Sequence, residues 1–226
     1  MHAAANSLLA RAVGLTPMGR AYARGSAGDP AIDFSTRALA VLGINVIVAH
    51  DALANVPGSG PVIVVGNHPS GALDGLALLT LVRRVRTDVR LIGNRWLRNV
   101  PELRDCLVPL DVFRTTAGAV RRNATALRSA IQWLARGGCL VMFPSGEVAH
   151  EETVDGRVLD SPWRQTASEL AVRAGATVVP VFIGSRNSRL FRSAGRIHPL
   201  LRTALLPREL WAKRGSTVSV NIGRAI

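Results

Sequence analysis

The segment Val62–Leu79, VIVVGNHPSGALDGLALL, most constrains the fold of this chain, because it passes within a few residues from strand-like to helix-like sequence. The β-branched run Ile63–Val65 is typical of a buried parallel strand. The turn residues Pro69–Gly71 then precede an apolar helical run that begins near Leu73. A buried strand, a tight turn and a helix in this order indicate one unit of an α/β fold.

Similar units are predicted along the rest of the chain. Strand-length runs alternate with longer helical patterns, which predicts a mostly parallel or mixed central sheet flanked by helices. The predicted strands are Asn45–Ala49, Pro61–Val65, Val89–Gly93, Leu107–Val112, Leu140–Phe143, Thr177–Ile183 and Thr217–Ile222. The predicted helices are Ile32–Leu42, Leu73–Val85, Ala117–Ala135 and Ser161–Ala174, with Ser161 as the N-cap and Pro162 as the first residue of the last helix.

The length of 226 residues predicts a main domain with a substantial core, preceded by a short arm. Residues 1–30 are expected to form an N-terminal helical arm, broken at Gly14 and Pro17, that packs on the domain or lies on a membrane. Residues 31–226 are expected to form the main domain. No apolar run reaches the roughly 18–20 residues that span a bilayer.

The amino terminus and the two cysteines predict a cytoplasmic location. The first residues lack the continuous apolar core of a secretory signal. Cys106 and Cys139 lie far apart between apolar neighbours, which predicts buried thiols in a reducing compartment. Neither cysteine is expected to form a metal site or a disulfide.

His68 follows the predicted strand, at the position where open α/β sheets bind ligands. Asp74 falls in the first turn of the next helix, where the helix dipole stabilises a carboxylate. A tight turn at Pro69–Gly71 would bring Asp74 to one imidazole nitrogen and leave the other basic, as a general base requires. Ordinary capping would use the same two residue types, so the spacing alone leaves both interpretations open.

Two further polar stretches follow predicted strands. Pro144, Ser145 and Gly146 come after one strand, and Ser185, Arg186 and Asn187 come after another. Because parallel strands end at a common edge of the sheet, we expect both stretches to lie near His68.

Four ordered stretches resemble the blocks of the glycerolipid acyltransferase superfamily, whose members acylate glycerol phosphate and lysophospholipids. GNHPSGALDG resembles its His-and-Asp box, and IGNRWLRNVPEL stands at its second block. MFPSGEVAH resembles its phosphate-binding Phe-Pro-Glu-Gly block, and ATVVPVFIGSRNSRLF its Val-Pro-Val block. The resemblance runs from about Asp33 to the end of the chain and is closest to the bacterial hemolysin-like acyltransferases.

This chain departs from the commoner superfamily pattern at two places, and both departures fit the hemolysin-like branch. Five residues separate His68 from Asp74, a His-x5-Asp motif, where four are more usual. Ser145 stands in place of the glutamate of the phosphate-binding block, and Glu147 follows two positions later.

The resemblance implies an O-acyltransferase of the 1-acylglycerol-3-phosphate acyltransferase type, active in phospholipid biosynthesis. It implies His68 as the general base and Asp74 as its partner, and we expect backbone N–H groups around Gly71 to form an oxyanion hole. Residues implied for the acceptor are Ser145, Gly146, Glu147, Arg186 and Asn187, where Glu147 either binds a polar acceptor group or holds a nearby arginine. Asn67, His150 and His198 are expected to be structural.

The implied donor is an acyl-carrier protein or acyl-CoA thioester, with no other cofactor and no metal. The acceptor stays open between lysophosphatidate, another lysophospholipid and a lyso-aminolipid.

Two other functions compete with acyl transfer. A lipid ester hydrolase would show a Gly-x-Ser-x-Gly elbow, which the sequence lacks. A non-catalytic membrane-binding protein would not need His68 and Asp74 together.

The formal net charge of +13, from 28 Lys and Arg against 15 Asp and Glu, indicates an acidic partner. Anionic membrane lipids or an acidic acyl-carrier protein fit this charge. Nucleic acid fits less well, because aromatic residues that could stack on bases make up only 4% of the chain. We therefore expect peripheral binding to the inner face of the cytoplasmic membrane.

Overall fold

Strand β2 (Val62–Gly66) lies inside a mixed sheet, as its unbroken apolar sequence requires, and all five of its residues are buried. The structure is a computed structural model that describes residues 15–27, 29, 32–112, 116–153 and 156–226. Within these ranges a seven-stranded sheet has the order β1-β9-β8-β2-β5-β3-β4. The other strands of this sheet are β1 (Asn45–Val48), β3 (Val89–Asn94), β4 (Leu107–Leu110), β5 (Cys139–Met142), β8 (Thr177–Gly184) and β9 (Thr217–Ile222).

Neighbouring strands are parallel except at the β8–β9 pair, which is antiparallel. Strands β8, β2, β5, β3 and β4 therefore point the same way and end at one edge of the sheet. A separate antiparallel pair is formed by β6 (Glu151–Glu152) and β7 (Val158–Leu159). The mixed sheet confirms the predicted fold class.

Helices cover both faces of the sheet, as alternating side chains of the central strands require. Val62 and Val64 pack into the core on one face, and Ile63 and Val65 pack into the core on the other. The first core includes residues of α1 (Leu15–Ser26), α2 (Phe34–Val41), α3 (Ala72–Val82) and α7 (Pro199–Ala212). The second includes residues of α4 (Ala117–Ala135) and α5 (Thr166–Ala174).

Helix α1 belongs to the predicted N-terminal arm and packs against α2 and α7. Ala21 of α1 is buried, and the Tyr22 hydroxyl donates to Glu102 over 2.9 Å. The predicted break at Pro17 is wrong, because proline in a first helical turn has no intrahelical N–H bond to lose. The part of the predicted arm before residue 15, with the predicted break at Gly14, lies outside the described residues.

The helix predicted to start at Ser161 begins instead at Thr166. Ser161 is not an N-cap, and Pro162 is not helical, because this stretch is bonded to the loop after β5. The Ser161 hydroxyl donates to Glu147 over 2.5 Å, and the Arg164 N–H donates to the Pro144 carbonyl over 3.0 Å. These tertiary bonds outweigh the local capping signal.

Helices α6 (Arg189–Ile197) and α7 were not predicted from the sequence. Their stretch contains Gly195, Pro199 and Pro207, all of which weaken a helical pattern. Pro199 is tolerated because it occupies the first turn of α7, and His198 caps that turn by accepting the Leu200 N–H over 3.1 Å.

The two cysteines are buried free thiols, as predicted. Burial raises the pKa of Cys139 to about 12, so this thiol stays protonated at neutral pH. Within the described ranges, each helix is too short or too polar to cross a bilayer.

Three arginines beyond the end of α3, namely Arg83, Arg86 and Arg90, are engaged in structural contacts. Arg83 pairs with Asp33, and the Arg90 guanidinium lies 3.9 Å over the Trp133 ring. Arg86 is buried, binds both carboxylate oxygens of Asp88 over 2.8 and 2.7 Å, and donates to three backbone carbonyls. Those carbonyls belong to Pro57, Gly60 and Gly137. Arg86 therefore joins three loops at the end of the sheet opposite His68.

Replacing Arg86 by Met should lower the free energy of unfolding by about 3 kcal/mol, because the carbonyls and Asp88 lose their donors together. Urea denaturation measures this change. Arg84 is exposed and provides a matched control, since Arg84→Met should change stability by less than about 0.5 kcal/mol.

The same variant should change the acid dependence of stability. The Arg86 guanidinium holds the pKa of Asp88 below its usual value, so the pair stabilises the fold fully at neutral pH and loses this effect as pH falls through the lowered pKa. The stability difference between wild type and Arg86→Met should shrink in acid. An equal difference at all pH values would contradict this role for the pair.

Candidate active site

Asp74 lies in the first turn of α3 with a fully buried side chain. Its Oδ2 atom accepts from His68 Nδ1 over 2.9 Å, from the Ser70 N–H over 2.7 Å and from the Gly71 N–H over 2.9 Å. The predicted contact between His68 and Asp74 is therefore present. Because an ionised carboxylate only accepts, Nδ1 carries the proton and Nε2 carries the lone pair.

The His68 ring is held on several sides. Phe143, which follows β5, stacks on it with 4.0 Å between ring centroids and 13° between the planes. The side chain is 17% exposed, and Nε2 has no hydrogen-bond partner among the described residues. His68 therefore keeps one ring nitrogen that the described residues do not engage, at the edge of the sheet.

Two side chains join the turn after β2 to the end of β8. The Asn67 amide accepts from the Ile183 N–H over 2.6 Å and donates to the Ile183 carbonyl over 3.1 Å, which extends the strand pairing by one residue. The Ser70 hydroxyl donates to Ser185 over 2.7 Å. Asn67 braces the turn, as predicted.

Two of the backbone N–H groups near Gly71 that were candidates for an oxyanion hole already have a partner. The Ser70 and Gly71 N–H groups both donate to the Asp74 carboxylate, so in this structure they serve the acid. Gly71 has a further role, since its φ is +77° and an added Cβ would lie 2.7 Å from a Leu206 methyl group. The positive φ favours glycine at position 71, and any side chain there would displace Leu206 of α7.

The loop after β5 is braced within the protein. Ser145 is 2% exposed, and its hydroxyl donates to the Glu147 carbonyl over 2.9 Å. Gly146 has a φ of +73°, and the Arg164 side chain lies over it, 3.3 Å from where a Cβ would stand. The loop is therefore placed at the His68 edge, but its serine hydroxyl already has an internal acceptor.

Glu147 holds a nearby arginine, one of the two roles predicted for it. It accepts from Arg202 of α7 over 2.6 Å and from Ser161 over 2.5 Å. Burial acts to raise the pKa of Glu147, but hydrogen bonds from Ser161 and Arg202 outweigh it and hold the pKa below the usual value. His150 also contacts Arg202, so it is structural, as predicted.

Arg186 and Asn187 follow β8 and differ in their surroundings. Arg186 is exposed, and its carbonyl accepts from Lys213 Nζ over 2.5 Å. Asn187 is 2% exposed, and its side-chain amide has no partner in the described part of the chain. Burial lowers the pKa of Lys213, with the Arg186 charge adding to this effect and the carboxylates of Glu209 and Asp74 opposing it. Lys213, which the sequence did not single out, adds a second cation beside Arg186.

Asp160 is the clearest site residue that sequence reasoning missed. Its carboxylate accepts the His68 backbone N–H over 2.9 Å and the Trp163 indole N–H over 3.1 Å. Burial raises the pKa of Asp160, although these hydrogen bonds oppose the shift. The available signal is the Asp-Ser-Pro-Trp stretch, whose serine and proline have the pattern of a helix start.

The fold and this site define an α/β protein with a His-Asp pair at the carboxyl ends of its parallel strands. Residues 47–184 match the family model described as Acyltransferase. The chain belongs to this acyltransferase family. Among the described residues, no three His, Cys, Asp or Glu side chains are grouped as metal ligands would be.

Two curated relatives are lyso-glycine lipid O-acyltransferases. The protein from Phocaeicola vulgatus is 27% identical over 181 residues, covering 77% of this chain and 62% of its own length. The protein from Bacteroides thetaiotaomicron is 28% identical over 182 residues, covering 77% of this chain and 64% of its own length. The chain thus spans less than two thirds of either relative.

A similar solved structure is the 1-acyl-sn-glycerophosphate (LPA) acyltransferase PlsC from Thermotoga maritima. The TM-score is 0.54 at 22% identity, and the match covers 92% of this chain and 68% of that one. This likeness supports the α/β fold with a mixed sheet flanked by helices.

Asp160 should act as a positioning residue for His68. Asp160→Ala removes the acceptor of a backbone N–H and should lower kcat about tenfold or more. Asp160→Asn keeps an acceptor oxygen but removes a negative charge beside the imidazole, so the acidic limb of the pH–rate profile should move to lower pH. Steady-state kinetics across pH measure both effects.

Thermal stability separates this role from a purely structural one. Because the pKa of Asp160 is raised in the fold, its ionised form is disfavoured there, and Asp160→Asn should leave the melting temperature at neutral pH unchanged or higher. Asp105, an exposed acid, gives the control variant Asp105→Asn. A pH profile of Asp160→Asn identical to wild type would refute the positioning role.

Proposed function

We propose that the protein transfers a fatty acyl group from a thioester donor to the free hydroxyl of a lysolipid with an anionic head group. The observation that carries this proposal is the His68–Asp74 pair, with Nδ1 bonded to a buried carboxylate and Nε2 without a partner among the described residues. Membership of the acyltransferase family supports the same reaction class.

The proposed reaction is a direct transfer. His68 Nε2 takes the proton of the acceptor hydroxyl as its oxygen attacks the thioester carbonyl. The ester C–O bond forms and the C–S bond breaks, and His68 returns the proton to the departing thiolate. Asp74 stabilises the imidazolium between these steps and keeps the ring in the required orientation.

An acyl-serine intermediate at Ser145 is less well supported. A covalent mechanism needs a base that takes the serine proton. The Ser145 hydroxyl instead donates to the carbonyl of Glu147, and the side chain is almost fully buried. The thioester is already activated, so direct attack by the acceptor needs no enzyme nucleophile.

For the acceptor, we propose that Arg186 and Lys213 bind the anionic head group and that Gly146 and Asn187 help to shape its site. Lys213 is partly withdrawn from water, so an anion beside it would recover a favourable charge interaction. The curated relatives act on lyso-glycine lipids, which favours a lyso-aminolipid ending in a carboxylate over lysophosphatidate. Either anion fits the two cations.

The proposed donor is acyl-carrier protein or acyl-CoA, without a further cofactor. We also propose peripheral attachment to the inner face of the cytoplasmic membrane, because the acceptor lies in a bilayer and the chain carries a net charge of +13. Nucleic acid is not a proposed partner. Purified protein supplied with each donor and with lyso-glycine lipid or lysophosphatidate tests these assignments directly.

Replacing His68 by Ala should lower kcat by about 10²–10⁴-fold without unfolding the protein, because the general base is lost. Asp74→Asn can keep an oxygen on its three donors but loses the charge that stabilises the imidazolium, so kcat should fall by up to about 10⁴-fold. Turnover of a radiolabelled acyl thioester with saturating lysolipid measures both effects.

Ser145→Ala provides the contrast. It should lower turnover far less than His68→Ala, and wild-type protein incubated with donor alone should show no acyl adduct by intact-protein mass spectrometry. An adduct on Ser145 would replace direct transfer by a two-step mechanism.

The same assays test the two competing functions. Thioester hydrolysis that is unaffected by acceptor would identify a hydrolase, and no turnover with any donor would favour a binding protein.

Arg186→Gln and Lys213→Gln should each raise the KM for the lysolipid by roughly tenfold while the donor KM stays constant, since charged hydrogen bonds contribute about 1.5–3 kcal/mol. Because burial lowers the pKa of Lys213, the wild-type KM should rise with pH below the usual lysine range, and Lys213→Gln should abolish that rise. Exposed Arg224 gives the control Arg224→Gln. An unchanged acceptor KM in both variants would remove these cations from the site.

A further inference from the structure

Helices α6 and α7 meet at a corner that exposes several large apolar side chains. Ile197 is 76% exposed, and Leu200 and Leu201 are 50% and 49% exposed. Leu190 lies two turns before Ile197 on the same face of α6 and is 51% exposed. We call these four residues the apolar corner. Exposure of several large apolar side chains to water is unfavourable, so we expect the apolar corner to bind a partner.

Basic side chains accompany the apolar corner on the same helix. Arg189 and Arg196 are exposed and are also two turns apart on α6, beside Leu190 and Ile197. Between Glu169 and Glu209 the sequence contains no acidic residue. Apolar side chains bordered by arginine, without a carboxylate in the segment, match a surface made of hydrocarbon under anionic head groups.

The apolar corner lies beside the candidate active site. Glu147, in the loop after β5, accepts from Arg202 over 2.6 Å and from Ser161 over 2.5 Å. Leu201 precedes Arg202 in α7, and Trp163, which is 49% exposed, follows Ser161 by two residues. Gly195 of α6 lies against His150, which contacts Arg202, so the segment that carries the apolar corner is joined to the loop after β5, at the edge of the sheet where His68 lies.

We propose that the apolar corner inserts into the boundary between head groups and acyl chains of an anionic bilayer, while Arg189 and Arg196 contact lipid phosphates. This orients the carboxyl edge of the sheet, and with it His68, towards the membrane. The inference rests on the proposed function only in that a lysolipid acceptor gives the protein a reason to bind a bilayer. A second copy of the chain is the other occupant that could cover these side chains.

Binding of the full chain to vesicles tests this surface without any substrate. The probes are vesicles of phosphatidylcholine with and without phosphatidylglycerol, sedimented at low and high salt. Combined Ile197→Ser, Leu200→Ser and Leu201→Ser should weaken binding to anionic vesicles by about tenfold or more. Each of Arg189→Gln and Arg196→Gln should weaken it by about fivefold at low salt and little at high salt.

Matched controls lie on the helices α4 and α5. Val120 and Val172 are 60% and 83% exposed, and Val120→Ser with Val172→Ser removes exposed apolar side chains from helices that cover the other face of the sheet from α7. Exposed Arg121 and Arg173 give the charge control as Gln variants. All control variants should bind vesicles as wild type does. Equal losses in the control and corner variants, or none in the corner variants, would overturn the proposal.

Two further measurements distinguish a failure of the membrane proposal from a failure of the proposed acyl transfer. Sedimentation velocity of wild type and the triple serine variant shows whether the corner joins two copies, and a dimer lost in the variant would overturn the membrane assignment. Turnover of a water-soluble short-chain lysolipid should be equal in wild type and the triple variant. Vesicle binding by the corner without any acyl transfer would reject the proposed function and leave the membrane surface supported.

Discussion

One oxygen of a fully buried carboxylate, Asp74 Oδ2, accepts three hydrogen bonds, and the arrangement of the site depends on it. A buried charge is tolerated only when donors replace its lost hydration. The His68 ring supplies one donor, and the backbone at Ser70 and Gly71 supplies the other two. The charge that orients the imidazole therefore also shapes the turn that carries it. A change in the turn would remove hydrogen-bond donors from the Asp74 carboxylate, and loss of the carboxylate would leave the His68 ring and the two N–H groups without their acceptor.

The surrounding fold holds this turn from three directions. Strand β2 lies between β8 and β5, so the backbone before His68 is fixed by pairing on both sides. Helix α7 covers Gly71 through Leu206, and Asp160 binds the His68 N–H from the segment before α5. Rigid elements thus position the imidazole, while its Nε2 has no partner in the described structure and is the atom left for chemistry.

The sequence predicted the central strands, helix α4 and the His68–Asp74 contact, because these depend on local periodicity and on one short turn. It did not predict features that depend on distant partners. In the sequence Ser161 has the pattern of an N-cap, but in the structure its hydroxyl bonds Glu147. The sequence likewise does not show that the Gly71 N–H donates to Asp74. Helices α6 and α7 contain helix-weakening residues, and packing against each other and the core overrides that local preference.

The net charge of +13 is a poor guide to a partner until each arginine is located. Arg86, Arg192 and Arg202 are buried, and each bonds protein oxygens, so they belong to the fold rather than to a surface field. Arginine suits this structural role because its planar guanidinium group donates hydrogen bonds to several acceptors at once. The charge available to a lipid surface is the exposed remainder, and its effect depends on where it lies. Arg189 and Arg196 matter because they border exposed apolar side chains next to the candidate site.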